Sequence, residues 1–428
     1  MAPGGIPAQR YELHKLHYAY DPRQRCFRHN LARDLHCFVV WEDALPVCDR
    51  IRSVLADQYA IRCDVRIRWS PERLVENSYR LYNRAVPWLE DREFDGVPDE
   101  KIGNGHFQFF VVEDREPRYV YDQSVSQCVE LVNPKVVEHK RLFRSWVPAP
   151  FRVHSSGNAE EFFAQTVLIL GLRKLEMLLG DAEAFVGGEL TQDLEGSAGW
   201  DSYEQLFQTL NYGADYLVLR NFESLPRLLE DADVDFLARS CQRLASVANV
   251  RQLVYSGRLY KGKLSVAGQL IPVDIRHVKD GYYDDNWEAD MLRRKTLHNG
   301  CLYVPRTDDY FFSLLYHAKV QKSSVKPIYR ERLETLARQI GLDWWTRESL
   351  DDDEACGRFL AGYMKNLGYE YDVPRDPDVY KNPGVIANLP QAPLATPPAD
   401  PRWARAAKTF LKTVLPYRLI RLLRNPEK

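Results

Sequence analysis

The chain has 428 residues, 45% of them apolar and 28% charged, with a formal net charge of −2. That composition belongs to a globular protein long enough for two or three domains, and it excludes a disordered or fibrous chain. The near balance argues against general nucleic-acid binding, yet it conceals an asymmetry: residues 402–428 hold eight Lys/Arg against Glu427, so the tail is +7 and the remainder −9.

In chain order, an amino-terminal extension (1–35) precedes an α/β domain over residues 36–180. CFVVW reads as a buried strand, and EDALPVCDRIRSVLADQY as an amphipathic helix with Leu45, Val47, Ile51, Val54 and Leu55 at near-helical spacing. IRCDVRIRW alternates like a strand, and SPERLVENSYRLYN opens with Ser70 as N-cap and Pro71 at the first helical position. HFQFFVVED and RYVYD return to strand, and Ala159 to Gly180 reads as one buried helix ended by its glycine. Gly103 and Gly105 permit a tight turn or a close approach to phosphate, with Lys101, Lys140, Arg141 and Arg144 as nearby cations. His154, Ser155 and Ser156, followed by Gly157 and Asn158, precede a helix start that caps itself or attracts an anion, which makes them a second candidate ligand loop.

A second α/β unit, residues 200–372 with its carboxy-terminal helices, carries the main signal. DYLVL is a strand, RNFESLPRLLEDA a turn with a short helix, DVDFLA a strand and QLIPVDIRHV a later strand; DYFFSLLYHAKVQK and YRERLETLARQIG are helices. Asp231, Asp233 and Asp235 alternate with residues that include Val234 and Phe236. A strand sends i and i+2 to the same face, so Asp233 and Asp235 stand side by side over a core-facing Val234 and Phe236. Two like charges so placed call for a cation. On the later strand Asp274 and Arg276 share a face, and if the two strands are neighbours the three carboxylates meet and make a site for a hard cation, Mg²⁺ or Mn²⁺. Arg220 and Arg276 either fork onto phosphate or neutralise the acids. Lys261 and Lys263 read as hairpin decoration, His317 as a buried and satisfied histidine ahead of Lys319 and Lys322, and Tyr282, Tyr283 and Trp287 as core aromatics or a stacking platform. Residues 373–401 form a Pro-rich linker or strap, and residues 402–428 a basic amphipathic tail broken at Pro416.

Eight cysteines (Cys26, Cys37, Cys48, Cys63, Cys128, Cys241, Cys301, Cys356) without a C-x-x-C pair indicate reduced thiols. CFRHNLARDLHC gathers Cys26, His29, His36 and Cys37 in a spacing that matches no common zinc site. No stretch approaches the roughly 20 apolar residues of a membrane span, and the opening MAPGGIPAQRYELHK lacks the apolar core of a signal peptide. A cytoplasmic location is expected.

The succession strand, short helix, Asp-x-Asp strand and third carboxylate on a later strand resembles the DNA polymerase β-like nucleotidyltransferase superfamily. The resemblance covers roughly 100 of the 428 residues and implies a mixed-sheet nucleotidyltransferase-like domain, so the fold class expected is α/β (α+β). On that likeness Asp233 and Asp235 match the paired positions and Asp274 the third. The family's usual Gly-Ser at the end of the first strand reads Arg220-Asn221 here, which puts phosphate binding by Arg220, Asn221 and Arg276. The glycan-modifying branch, including bacterial choline-phosphate transferases and fukutin-like proteins, departs from the glycine pattern too, and VDIRHVKDGYYDDNWEADML with YFFSLLYHAKVQK looks like proteins of bacterial surface-polysaccharide loci.

The function so implied is a metal-dependent transferase moving a nucleotidyl or polyol-phosphate group from a nucleotide-activated or phosphorylated donor onto a glycan or lipid-linked glycan, in capsule or other cell-surface polysaccharide biosynthesis. Residues 402–424, with Trp403, Phe410, Leu411, Leu419 and Leu422 beside Lys/Arg, suit a helix on the anionic inner face of the membrane or a partner protein. Two alternatives stand beside it. One is a D-x-D glycosyltransferase using a nucleotide sugar or phosphoribosyl pyrophosphate, and the other a non-catalytic, membrane-recruited assembly protein.

Overall fold

The computed structural model describes residues 18–21, 24, 26–29, 33–82, 103–123, 129–180, 185–227, 233–256, 259–374, 376 and 379–392. Its strands in chain order begin with a two-stranded ribbon, β1 (Tyr18–Asp21) and β2 (Cys26–His29). Then come β3 (Asp34–Trp41), β4 (Ala60–Arg68), β5 (His106–Asp114), a second ribbon of β6 (Val120–Gln123) and β7 (Val129–Val132), β8 (Val153–Ser155) and β9 (Phe185–Thr191). A five-stranded sheet is built from them in the order β8-β3-β5-β4-β9, with β4 and β9 parallel and the other pairs antiparallel.

Every residue of β3 is buried because both faces of this sheet are covered. Phe38, Val40, Phe110 and Val112 pack on one side against Ile51 and Leu55 of the helix Cys48–Gln58 and Phe143 of the helix Pro134–Arg144. The alternate residues Cys37, Val39, Trp41, Phe107, Phe109 and Val111 join the larger core on the other side, with Phe163 and Val167 of the helix Ala159–Leu170.

The second sheet comprises β10 (Tyr216–Val218), β11 (Val234–Ala238), β12 (Arg251–Ser256), β13 (Leu259–Val266) and β14 (Gln269–His277) in the order β10-β11-β14-β13-β12. β11 and β14 are parallel and their outer neighbours antiparallel, and a short ribbon of β15 (Thr296–His298) and β16 (Leu302–Val304) follows. The chain is thus mixed α/β, with helices on both sheets. Its larger apolar core runs without interruption from Trp41 and Val65 through Phe236 and Ile275 to Phe311 and Leu360.

Three local expectations give way to tertiary contacts. The helix expected from residue 159 to 180 breaks at Gly171, where φ is +79°, and continues as Leu172–Leu179. That backbone conformation favours glycine, and a Cβ there would also lie 2.6 Å from a carboxylate oxygen of Glu195, which would have to move aside. The helix after β3 starts as a 3₁₀ segment, Glu42–Val47, around Pro46 and turns α-helical only at Cys48. Ser70 and Pro71 do take the N-cap and first positions, but of a 3₁₀ turn, Pro71–Arg73; the Ser70 N–H and hydroxyl donate to the Asp193 carboxylate at 3.0 and 2.8 Å instead of the side chain capping a helix, and the α-helix begins at Leu74.

In the Pro-rich stretch, the described residues 379–392 are packed down, with Val385 and Leu389 buried, one helical turn at Pro383–Ile386 and the Asn382 N–H on the Val320 carbonyl at 3.1 Å. Lys101, Asp231 and the whole tail, residues 402–428, lie outside the described residues. No helix among the described residues is long and apolar enough to cross a membrane.

Arg80 ties the amino-terminal half to the helix Cys241–Ala248 and to the loop at residues 195–197. Fully buried, it donates to the carbonyls of Ser246 (2.9 Å), Glu195 (2.6 Å) and Val247 (3.2 Å) and to the Ser197 hydroxyl (3.1 Å). Burial lowers its guanidinium to about 10, still charged at neutral pH. Arg80→Met orphans those acceptors and is expected to cost on the order of 3 kcal/mol in urea unfolding. A loss within the ordinary surface range of about 0.5 kcal/mol would show that the clamp contributes little.

Candidate metal centre

The parallel pairing of β11 with β14 sets Asp235 directly opposite Asp274. Asp233 enters from the residue before β11, two positions from Asp235 and therefore on the same face. The three half-buried side chains offer oxygens that all lie within 4.8 Å of one another. Two oxygens on opposite sides of one ion stand about 4.2 Å apart for magnesium and about 4.6–5.2 Å for calcium, so the span suits an all-oxygen site for a hard cation.

β10 delivers the first cation. Its antiparallel register with β11 ends at Val218 opposite Phe236, the Leu219 N–H reaches the Asp235 carbonyl at 2.9 Å, and Arg220 Nε then lies 2.8 Å from Asp235 Oδ2. Burial works against the Arg220 charge, but Asp235 outweighs it and holds the guanidinium well above its ordinary value. Asp274 has no such partner among the described residues. Burial and then the Asp235 charge raise its carboxyl above the usual range, against the pull of Lys261, Arg276 and Arg220.

Asn221 turns through the left-handed region (φ +59°), which asparagine tolerates, and its side-chain oxygen accepts from Arg332 at 2.7 Å. The Arg276 guanidinium carbon lies over the Tyr282 ring, 3.9 Å from its centroid, with Nη2 3.1 Å from Asp376 and Nη1 3.7 Å from Asp280. Tyr282 is fixed in turn by a 2.8 Å hydrogen bond between its hydroxyl and His317 Nδ1, and by Gln321, which donates to its carbonyl at 2.7 Å. These groups surround a cavity of about 170 Å³ lined by Arg220, Asp235, Lys261, Asp274, Arg276 and Lys322, with Tyr282 and Asp376 at its wall.

The second candidate loop lies elsewhere. His154 and Ser155 belong to β8, at the edge of the first sheet, and none of His154, Ser155 and Ser156 lines this cavity. His154 is hydrogen-bonded to Gln165 at 2.7 Å, and burial drives its imidazole well below the ordinary value, leaving it neutral. Ser155 and Ser156 are buried, and the Ser156 hydroxyl accepts the Cys37 N–H at 2.9 Å. Asn158 is the residue that caps the following helix. Lys140 and Arg144 donate to the carbonyls of Ser155 and Val153, and so hold β8 in place. His36 lies 2.9 Å from Asp34, and the Cys37 thiol donates to Gln165 at 3.2 Å; the side chains of Cys26 and His29 are outside the described residues. Gly103 and Gly105 make the turn before β5, packed against Glu42 and Leu74.

Sequence reasoning read Lys261 as hairpin decoration, assigned Lys322 no role in the site, and missed Asp376 and one further pair. Lys261 and Lys322 carry no local motif, and Asp376 sits 100 positions from its partner Arg276 in a Pro-rich segment. The further pair is Asp280 and Glu288, both buried. Its only signal was a cluster of acids around DGYYDDNWEAD, a pattern that usually means solvent exposure.

Comparison with family models and with curated proteins finds no match to this chain. The chemistry of the site therefore rests on its residues.

Asp280 and Glu288 hold the loop beneath Arg276. The N–H groups of His277 and Tyr282 donate to Asp280, and those of Lys279 and Tyr283 to Glu288. Burial and then the Asp280 charge push Glu288 up to about 9 from an ordinary 4.5, so the folded protein keeps a proton on it that the unfolded chain has lost. Stability from this group is complete below pH 4.5 and declines as pH rises towards 9. Glu288→Gln, which carries a permanent donor towards Asp280, is expected to flatten the pH 5–9 slope of unfolding free energy. An unchanged slope in the variant would place the titration elsewhere.

Proposed function

We propose that this chain is a metal-dependent transferase that moves a nucleotidyl or polyol-phosphate group onto a glycan precursor. The observation that supports it is the register of β11 and β14, which gathers Asp233, Asp235 and Asp274 at one point. A D-x-D glycosyltransferase needs no third strand-borne carboxylate, so Asp274 opposite Asp235 favours the nucleotidyltransferase-type reading.

The three carboxylates would hold Mg²⁺ or Mn²⁺, which supplies charge to offset that building on the phosphoryl oxygens. The protein's own part is to orient and to move a proton. The acceptor hydroxyl oxygen forms a bond to phosphorus, the bond from phosphorus to the leaving phosphate or nucleotide breaks with its electron pair, and the hydroxyl proton passes to Asp274. Arg220 and Arg276 stand close enough to steady the phosphate charge. The basic tail, through residues 402–424, would place the enzyme against anionic lipid at the inner membrane face.

The Arg220–Asp235 ion pair is also what a purely structural acid–base network would contain, as an assembly protein requires. Calorimetry with Mg²⁺ and CDP-linked or UDP-linked donors, followed by an assay of nucleotide release, separates the readings. The transferase binds one donor class only with the metal, and Asp235→Asn and Asp274→Asn each lower turnover by at least about 100-fold. A wild-type chain that binds neither metal nor donor is the assembly protein, and full activity in Asp274→Asn points to the glycosyltransferase.

A further inference from the structure

Among the described residues, two lysines at the cavity have no ionic partner. Lys261 stands opposite Asp274 in the β13–β14 register yet forms no ion pair with it within 4.0 Å. Lys322, just beyond the helix Thr307–Val320, reaches the same cavity from another element and likewise makes no ion pair. Partial burial and the adjacent Arg220 guanidinium lower the Lys322 ammonium, while Asp235 and Asp233 pull the other way. A further anion between these cations would relieve that repulsion.

Arg276 shows where such an anion fits. Stacked on Tyr282 and nearly buried, its guanidinium already binds one anionic oxygen, that of Asp376. A carboxylate on a guanidinium occupies the hydrogen-bonding positions that a phosphate oxygen takes.

We propose that the cavity is a subsite for the phosphate end of an anionic donor, held by Lys261 and Lys322 and by Arg276, from which the ligand displaces Asp376. This assignment rests on the transferase reading only for what lies beside it, the metal and the reacting phosphorus. Size limits the ligand further. About 170 Å³ falls below the roughly 300–1,000 Å³ of pockets that enclose whole drug-sized molecules, so the cavity takes the phosphate and leaves the rest of the donor outside. Asp376 acts as an internal competitor that keeps Arg276 in its binding position while the subsite awaits its ligand.

Inorganic pyrophosphate is the probe, titrated calorimetrically into the full-length chain with and without Mg²⁺, beside Mg²⁺ alone. Lys261→Met and Lys322→Met change exposed side chains, and each is expected to weaken pyrophosphate about tenfold, the worth of one charge-assisted hydrogen bond, under both conditions. Magnesium alone should bind these variants at least as tightly as wild type, because each loses a cation that faces the carboxylates. Asp376→Asn is expected to tighten pyrophosphate severalfold. Lysine-dependent pyrophosphate binding in a chain that takes up no metal would leave the subsite standing while the metal centre falls. Pyrophosphate affinity unchanged in both lysine variants, no binding to wild type, or weaker binding in Asp376→Asn would overturn the subsite.

Discussion

The parallel pairing of two short strands governs this site. With β11 beside β14 in a register that sets Val234 against Val273 and Phe236 against Ile275, the apolar residues enter the core and the acids between them have one face left to share. At an effective dielectric near 20, two unit charges about 5 Å apart repel by roughly 3 kcal/mol. The fold meets part of that cost with Arg220 on Asp235 and leaves Asp274 with a raised pKa and no ion pair among the described residues. A divalent ion is the natural completion of such a set.

The surroundings show how an electrostatically unfavourable centre is kept in shape. Arg276 is positioned from below by the Tyr282 ring, which His317 and Gln321 fix, and from the side by Asp280 and Asp376. The loop that carries Tyr282 hangs on backbone N–H groups bound to two buried acids. Each cation at the cavity is thereby either locked by a short polar contact or, like Lys261 and Lys322, reaches it without an ionic partner among the described residues. Binding energy for a charged ligand is then not consumed in ordering the arginines.

Much of this arrangement was legible in the sequence, because period-two alternation is strict in a strand. Val234 and Phe236 facing inward dictated where Asp233 and Asp235 point, and the same logic put Asp274 on the outer face of β14. Which strands are neighbours was not legible, since register between segments some 40 positions apart is set by packing that no local pattern records. Gly171 read as part of a helix because neighbouring apolar residues had helical spacing, while the Glu195 side chain that occupies its flank comes from a distant loop. Ser70 looked like a cap for the same local reason, and Asp193 claims it. Lys261, Lys322 and Asp376 lacked any motif, and their convergence exists only in three dimensions.

Diffraction from crystals grown with manganese, recorded at a wavelength where manganese scatters anomalously, tests the central claim most directly. An anomalous peak bridging the carboxylates of Asp233, Asp235 and Asp274 is the result this account predicts. A manganese-saturated crystal with no peak at that point, or with Asp274 turned away from the other two, would contradict it.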